Sequence, residues 1–378
     1  MLLALWVLLI GPTSAQANAA LSRKYNMPCE RCHSMIPRLN VFGYAFYRAG
    51  FRLPGPNKPM TLANSTTLIS DVTLGHAEPG STDTLTDDKI KLGFVGTLSN
   101  QVTLRAAYLT SLRETVRSGF GQLWLQYNSA PSGKYWSVRV GQMPILDGYN
   151  LLGNREISLT DPQGLRHFGP LTSSLNLGDV ERGIQIARTS GPLSVRLSWL
   201  NGVNSAGKGG VSLPGNRFHD FLLQSDYMIG KDGSMIGAFG YLGKTPLEAQ
   251  GFTNNFQRVG LTGTWAKVLR PGKMGVPGML LEVNSALVWG EDAVSATGAR
   301  ANSLAAILEA DLYLHNRTAF FVRYDGGKSP TTDSTPTSDA FTVGASHRFT
   351  RNVQAELEYR NKRDTYGSTV LLGLNLSL

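Results

Sequence analysis

The sequence predicts an all-β protein: a transmembrane antiparallel β-barrel of about sixteen strands, preceded by a small helical segment near the N-terminus. Two observations predict this class. From residue 60 onwards, apolar and polar residues alternate along successive segments, and clusters of Gly, Asn, Ser, Asp and Pro separate these segments. The connections between segments also alternate between short turns and longer loops, which is typical of outer-membrane barrels.

The composition excludes several other classes. The 378 residues include two cysteines, and 42% of them are hydrophobic and 17% charged, which excludes a disulfide scaffold and a charge-rich disordered chain. The net charge of +9 comes from basic residues scattered singly along the chain, so we expect no nucleic-acid partner. No segment approaches about 18 consecutive apolar residues, which excludes a helical inner-membrane protein.

The N-terminus has the pattern of an export signal. The apolar run in MLLALWVLLIGPTSAQANA is followed by Ala-x-Ala at Ala15-Gln16-Ala17 and again at Ala17-Asn18-Ala19. As a helix, this run is too short to span the roughly 30 Å hydrocarbon core of a bilayer. We therefore predict a signal peptide over 1–19, a separate small segment over 20–59 and the barrel over 60–378.

Period-two alternation gives each predicted strand two faces. In 192–201, for example, the apolar face holds Leu193, Val195, Leu197 and Trp199. The opposite face of this strand holds Ser194, Arg196 and Ser198. A soluble β-sandwich shows the same alternation, so the connections decide between a protein core and lipid.

The strand count is even, as in bacterial outer-membrane barrels. The predicted strands are 62–76, 87–98, 101–112, 119–128, 134–143, 176–189, 192–201, 218–229, 234–243, 255–267, 277–290, 302–314, 317–326, 339–349, 352–362 and 367–378. Short turns such as 99–100 and 230–233 alternate with longer loops such as 77–86 and 144–175. The turn 268–276 is longer than this alternation predicts.

The chain's two cysteines lie in the stretch PCERCH, as Cys29 and Cys32, and His33 follows directly. Cys-x-x-Cys-His is the spacing of c-type haem attachment. Two thiols three positions apart on one helical turn can each bond a vinyl group of the same porphyrin, and His33 can then bind the iron as the proximal ligand. In an exported chain the motif predicts one covalently bound haem c, with Cys29, Cys32 and His33 as its cofactor-binding residues.

Other interpretations of this cysteine pair lack supporting residues. A thioredoxin-like pair needs a βαβ context, and the residues from 20 to 60 do not have that pattern. A zinc site needs a further thiolate or histidine at ligand spacing, and none lies nearby in the sequence.

The distal ligand of the iron is open among several residues. The candidates are Met27, Met35, Met60, His76 and His167. We take Met60 as the distal candidate, and the alternative is that each methionine only fills space. His76 shares the apolar face of its strand, whereas His167 lies in the longest loop, 144–175, which can fold into the lumen as in porins.

The residues after the motif can cover a porphyrin. Apolar side chains and two glycines recur there, as Leu39, Phe42, Gly43, Phe46, Gly50 and Phe51. Three arginines are candidate partners of the haem propionates, or are simply solvated, namely Arg31, Arg38 and Arg48.

The whole chain resembles the fused monohaem c-type cytochrome-porins, whose best-known members are outer-membrane iron oxidases. The residues that carry this resemblance are the single CxxCH, Pro37-x-Leu39-Asn40-x-Phe42-Gly43-x-x-Phe46 and Gly50-Phe51, followed by the barrel. Val140-Gly141-Gln142-Met143-Pro144 and Trp199-Leu200-Asn201-Gly202 also look porin-like. The resemblance implies an outer-membrane location, with the haem segment on the periplasmic side or in the lumen. It also implies electron transfer from extracellular Fe(II) to a periplasmic c-type cytochrome.

Other functions stay open at this point. A diffusion porin with a haem plug would use basic residues to line an anion path, namely Lys91, Arg105, Arg139 and Arg196. An outward electron conduit, or a soluble periplasmic cytochrome with a β domain, would carry the same motif.

For Fe(II), the hard ligands that we predict are wall carboxylates or acidic loop residues, namely Glu309, Asp311, Asp325, Asp83, Asp87 and Asp88. Ordinary lumen polarity is the alternative role of these residues.

Overall fold

The computed structural model of the chain describes most of the barrel and much of the N-terminal segment. The described residues are 19–28, 31–35, 38–54, 66–76, 85–110, 119–147, 158–160, 162, 175–202, 220–247, 251–272, 277–315, 317–328, 339–350, 353–362 and 368–377. Cys29, Met60, Asp83 and His167 lie outside them, so their predicted roles stay predictions.

In the described residues before the barrel, the chain forms two short helices and a small hairpin. They are α1 (Ala19–Tyr25), β1 (His33–Met35), β2 (Arg38–Leu39) and α2 (Val41–Arg48). The barrel strands are β3 (Thr66–His76), β4 (Leu85–Thr97), β5 (Val102–Thr110), β6 (Gly119–Asn128), β7 (Lys134–Pro144), β8 (Val180–Ser190), β9 (Leu193–Leu200), β10 (Asp220–Ile229), β11 (Ser234–Leu247), β12 (Phe252–Arg270), β13 (Met279–Ala293), β14 (Arg300–Leu314), β15 (Thr318–Lys328), β16 (Ala340–Arg348), β17 (Val353–Lys362) and β18 (Ser368–Ser377).

Strands β3 to β18 form one closed antiparallel barrel. Each strand pairs with its neighbours in the chain, and the last strand, β18, pairs with the first, β3, through Val370 opposite His76 to Ser377 opposite Ile69. The predicted transmembrane barrel of about sixteen strands is confirmed. Every predicted strand range overlaps one observed strand.

The turn predicted over 268–276 differs from the structure. Strand β12 continues to Arg270, with a register shift between Val268 and Arg270 in its pairing with β13. Because the irregularity adds a residue to the strand, β12 runs past the predicted end at 267, and the connection to β13 is 271–278. Gly278 N–H then donates to Arg270 O over 2.8 Å and closes this connection.

The two faces of each strand meet different surroundings. In β9, Leu197 is 51% exposed on the outside of the barrel, whereas Arg196 is 4% exposed on the inside. The same alternation continues around the wall, with large apolar side chains exposed outside on β4 to β18. A continuous apolar belt of this size needs lipid contact. None of the described helices is long and apolar enough to cross a membrane.

The inner wall is not uniformly polar. Along β10 to β14 several inward side chains are apolar and buried, among them Leu222, Tyr241, Phe256 and Val288. They form one cluster with Tyr44 of α2 and with residues of the long β7–β8 connection, namely Ile145, Leu146, Leu175 and Leu177. Period-two alternation did not predict this apolar part of the lumen. It is stable there because protein, and not water, covers it.

The two rims of the barrel carry connections of different length. At one rim the strands join through 98–101, 129–133, 191–192 and 230–233. We call this the short-turn rim. Gly230 and Gly233 adopt positive φ angles of 68° and 84° in one of these turns, as tight reversals require. The connections at the opposite rim include 145–179 and 201–219.

Lipid contact of the outer face predicts a depth-dependent cost of charge. We expect Leu197→Arg, in the middle of β9, to lower the free energy of unfolding by about 2–4 kcal/mol. The matched change Leu193→Arg, at the end of the same strand, should cost about 0–1 kcal/mol, since its guanidinium reaches the interface. Urea unfolding of protein folded into lipid vesicles measures both, and equal losses would contradict a lipid-facing β9.

Candidate functional site

The described part of the Cys-x-x-Cys-His stretch is a turn followed by a strand. Arg31 N–H donates to Pro28 O over 3.0 Å, and Cys32 is half-buried and in no disulfide with a described residue. His33 then begins β1 and pairs with Leu39 of β2. The helical turn predicted for Cys29 and Cys32 includes residues outside the described ones and stays a prediction, whereas the backbone of His33 belongs to the β1–β2 hairpin.

Asn40 joins this stretch to helix α2. Its side-chain Oδ1 accepts from Gly43 N–H over 2.8 Å and caps the helix. Its backbone N–H donates to Cys32 O over 2.9 Å, and its Nδ2 donates to Arg31 O over 3.1 Å. One residue thus caps the helix and fixes the position of the motif relative to it.

Gly43 allows the closest contact between α2 and the motif. A Cβ atom at this position would overlap the carbonyl oxygen of Cys32 and touch Leu39 Cδ2 at 3.0 Å. Since Cys32 O is also the acceptor for Asn40, it cannot move away without losing that bond. The absence of a side chain at Gly43 is therefore a requirement of this packing.

An apolar cluster lies beside Cys32. Its buried members come from the N-terminal segment and from the barrel wall, and they are Leu21, Phe46, Phe51, Val95, Trp124 and Met143. Its half-buried members are Tyr25, Met27, Cys32, Phe42, Tyr47 and Leu53. We call these residues the motif cluster. The rings of Phe42 and Phe46 stack at 6.0 Å, and those of Phe46 and Phe51 meet edge to face at 5.8 Å.

The motif cluster agrees in part with the cover predicted from the sequence. Phe42, Phe46 and Phe51 lie in it, as expected, whereas Leu39 packs against the apolar cluster of the wall. The wall residues Trp124 and Met143 were missed, because alternation predicts that they face inward but not which segment they contact. Met27, one of the distal candidates, also packs here.

Hydrogen bonds seat the described residues of 19–54 inside the short-turn rim. Lys24 Nζ donates to Thr97 Oγ1 over 2.6 Å. Thr103 Oγ1 donates to Gly50 O over 2.7 Å, and Gln126 Nε2 donates to Arg48 O over 2.9 Å. Because these wall residues lie near the short turns of β4, β5 and β6, the segment plugs this end of the lumen. We call the described residues of 19–54 the plug.

Buried ion pairs attach the plug to the other side of the barrel. Arg38 pairs with Glu282 of β13, and its Nη2 donates to Asp232 O over 2.9 Å. Arg48 pairs with Asp226 of β10, whose other oxygen pairs with Arg196 of β9. We call these two pairs the plug latches. Arg38 and Arg48, which we considered as propionate partners, instead face wall carboxylates.

The chain after β7 folds into the lumen beside the plug. Asp147 accepts from Arg139 Nη1 over 2.7 Å and from Tyr47 OH of α2. Its carbonyl accepts from Gln224 Nε2 over 2.7 Å. Burial alone would raise the pKa of Asp147, but Arg139, then Arg196, together with the hydrogen bonds, hold this pKa below its usual range. Burial and the Asp147 charge raise the pKa of Tyr47 to about 12.

Further along, the β7–β8 connection contacts the opposite wall. The N–H groups of Leu159 and Thr160 donate to Glu358 Oε2 over 2.8 and 3.2 Å. Arg323 Nη2 donates to Thr160 Oγ1 over 2.8 Å. The sequence-based expectation that 144–175 folds into the lumen is thus confirmed for the described residues of this connection.

The wall carboxylates that we predicted as iron ligands have other partners. Arg323 pairs with Glu309 at 3.4 Å and with Asp325 at 3.2 Å, and Asp311 accepts from Asn284 over 3.0 Å. Asp87 and Asp88 lie in β4, not in a loop. Within the described residues, no group of three or more His, Cys, Asp or Glu side chains could hold a metal ion.

The three arginines of the predicted anion path also have partners. Arg139 pairs with Asp147, and Arg196 with Asp226. The guanidinium of Arg105 lies 5.5 Å from the ring centre of Phe51 in the plug. Arg31, the third candidate partner of a haem propionate, is exposed, and its guanidinium lies 4.5 Å from the ring centre of Phe42. Because plug or loop residues cover Arg105, Arg139 and Arg196, these side chains do not line an open path.

Comparison with solved structures shows a porin-type barrel. Similar structures include an anion-selective porin from Comamonas acidovorans, with a TM-score of 0.60 and 13% identity over 83% of this chain and 99% of that chain. OmpF of Salmonella typhi in complex with daunomycin gives 0.57 and 12% over 83% and 97%. The outer membrane channel DcaP of Acinetobacter baumannii gives 0.55 and 11% over 83% and 96%. No family model and no curated protein matches the chain. The likeness shows the fold of outer-membrane porins and channels.

The plug latches predict a measurable docking energy. We expect Arg38→Met to destabilise the docked plug by about 3–5 kcal/mol, because Glu282 then stays buried without its guanidinium. The rate of proteolysis within the plug, in detergent-solubilised protein, measures this opening. The control is Arg300→Met, whose guanidinium pairs with Glu291 while 57% exposed, and its expected effect is about 0–1 kcal/mol. Equal cleavage of both variants would contradict a buried latch.

Proposed function

We propose that this protein is an outer-membrane cytochrome-porin that oxidises extracellular Fe(II) and passes the electrons to a periplasmic c-type cytochrome. One observation carries the proposal: the stretch that holds Cys-x-x-Cys-His belongs to a plug seated inside a porin-type barrel. A diffusion porin has no use for a haem motif, and a soluble cytochrome has no use for a lipid-facing barrel.

The residues of the motif and its surroundings fit a covalently bound haem c. Cys29 and Cys32 would supply the attachment thiols, and the imidazole of His33 would supply the proximal ligand. The motif cluster beside Cys32 offers an apolar, aromatic surface for a flat porphyrin. Met60 stays the proposed distal ligand. A haem bound here would supply one-electron redox chemistry at its iron.

The protein around the motif performs three tasks in this proposal. The packed rings of Phe42, Phe46 and Phe51 would cover part of a porphyrin attached at the motif. The barrel wall separates the motif from lipid. The plug latches and the packed connection after β7 fill the lumen at this depth, so that electrons can cross while bulk solutes are hindered.

The position of the plug gives the proposed direction of transfer. Outer-membrane barrels keep their short turns on the periplasmic side, so a plug at the short-turn rim is open to a soluble periplasmic cytochrome. Fe(II) would approach from the rim of the longer connections. Because Glu309 and Asp325 are already paired with Arg323, we propose no stored iron ion on this wall. Ferric product would then stay outside the cell.

The second candidate is a diffusion porin in which the haem segment only plugs the pore. The porin fold favours it, since one similar structure is described as an anion-selective porin. The ion pairs in the lumen disfavour it, because Arg139 and Arg196 are paired with carboxylates and are not left to attract a passing anion. Conductance in planar lipid bilayers separates the two candidates: substantial anion conductance of the wild-type protein would favour the porin.

Anoxic mixing of the purified, detergent-solubilised protein with Fe²⁺ tests electron entry. We expect the ferrous α-band to appear within the stopped-flow time range, since the proposal requires iron to reduce the bound haem. The double variant Cys29→Ala/Cys32→Ala, which cannot attach haem, is the control and should show no band. A c-type spectrum that dithionite produces but Fe²⁺ does not would overturn iron oxidation. It would shift the assignment to an outward conduit or to another electron donor.

Substitution of Gly43 tests whether helix α2 supports haem attachment. Helix propensity alone favours alanine over glycine by about 0.5–1 kcal/mol. We expect Gly43→Ala instead to destabilise the packing of α2 on the motif by about 1–3 kcal/mol, because its Cβ overlaps Cys32 O. The haem content per chain, measured as the pyridine haemochrome, should fall. Ala45→Ser, at an exposed position of the same helix, should keep full haem content, and an equal content in both variants would contradict the role of Gly43.

A further inference from the structure

Two cations of the plug are buried without a carboxylate partner among the described residues. Lys24 is 1% exposed and Arg52 is 4% exposed. Lys24 Nζ donates to the neutral Thr97 Oγ1, whereas Nε and Nη1 of Arg52 have no hydrogen-bond partner. Among the residues that the structure describes, no ion pair joins either cation to Asp or Glu.

The other buried arginines of the plug behave differently. Arg38 and Arg48 each reach a carboxylate of the barrel wall. A guanidinium buried without a counter-charge is strongly unfavourable, and a second cation nearby adds repulsion. Burial, and then the charge of Arg52, lower the pKa of Lys24 to about 8. Among the described residues, Arg52 therefore has no carboxylate beside it, whereas Arg38 and Arg48 each have one.

This pair of cations lies at the edge of the motif cluster. Lys24 Nζ is 5.2 Å from the ring centre of Tyr25, and Tyr25 OH donates to Phe51 O, next to Arg52, over 2.8 Å. Tyr25, Phe51 and Leu53, the residue after Arg52, all belong to the same cluster as Cys32. An anion held by Lys24 and Arg52 would therefore lie close enough to the motif cluster to be part of a larger molecule that also packs against this apolar surface.

We propose that Lys24 and Arg52 form a carboxylate-binding site and that, in the haem-loaded protein, the bound carboxylate is a haem propionate. The second part rests on the proposed function. A guanidinium fork binds a carboxylate through two parallel N–H donors, and Arg52 has buried donors in excess. A free dicarboxylate has the same chemistry as a propionate, so the experiments must distinguish these two sources.

The midpoint potential of the haem in the loaded protein tests the propionate. A buried cation beside the haem favours the reduced iron, which carries one positive charge less. We expect Arg52→Gln to lower the midpoint potential in a spectroscopic redox titration, and Arg52→Lys to keep it close to that of the wild type. Arg300→Gln, at the exposed pair with Glu291, is the control. An unchanged potential in Arg52→Gln would overturn the propionate assignment.

Succinate binding tests the carboxylate site without haem. In the Cys29→Ala/Cys32→Ala variant, calorimetric titration should show succinate binding, and adding Arg52→Gln should weaken it by about tenfold or more. The haem-loaded protein should bind no succinate, because the propionate occupies the site. Equal binding to the loaded and haem-free proteins would assign the site to a free anion and overturn the propionate. Binding to neither protein would overturn the carboxylate site.

These experiments distinguish a failure of the Lys24–Arg52 site from a failure of the proposed function. A wild-type protein with no covalent haem would overturn the cytochrome-porin proposal, yet the succinate titration on that protein would still decide the Lys24–Arg52 site. The mobility of the unheated protein in gel electrophoresis reports whether each variant has folded. If the haem-free variant fails to fold, the potentials of Arg52→Gln and Arg52→Lys decide the proposal alone.

Discussion

The closure of the barrel is the constraint on which the rest of the structure depends. Lipid offers no hydrogen-bond partner to a strand edge, so β18 must pair with β3 and every other strand with its two neighbours. Closure fixes which side chains point outward, and these are apolar. The polar side chains of the strands then converge on the lumen, where Glu282, Asp226 and Glu358 lie buried. These buried wall carboxylates need cations or hydrogen-bond donors inside the lumen.

The plug and the β7–β8 connection supply these partners with complementary chemistry. Arg38 and Arg48 bring guanidinium groups to wall carboxylates, and Asp147 brings a carboxylate to a wall arginine. Buried pairs of this kind add little net stability compared with apolar packing. Their effect is instead to fix one docking position, because a rotated plug would leave several charges buried and unpaired. The apolar contacts of Tyr44 with the wall contribute the burial energy.

Much of the barrel could be predicted from the sequence, because lipid and lumen impose a period of two on every strand. The bounds of β6 and the faces of β9 follow from this pattern alone. The interior could not be predicted in the same way. Parity places Glu309 inside but does not reveal Arg323 beside it, and Arg38 meets the carbonyl of Asp232 across 194 positions of sequence. The motif is local in sequence, whereas its surroundings are assembled from distant strands.

A filled lumen has different consequences for solutes and for electrons. A solute needs a continuous wet path, and at the depth of the plug the wall is covered by Tyr44, Phe51 and the chain near Asp147. An electron needs only a redox centre that is held still. In the function proposed above, aromatic packing and paired charges would hold such a centre still, since few groups around it could reorient. Lys24 and Arg52 fit the same argument, because neither cation pairs with a carboxylate of the described residues, and the propionate proposed above would complete this pairing.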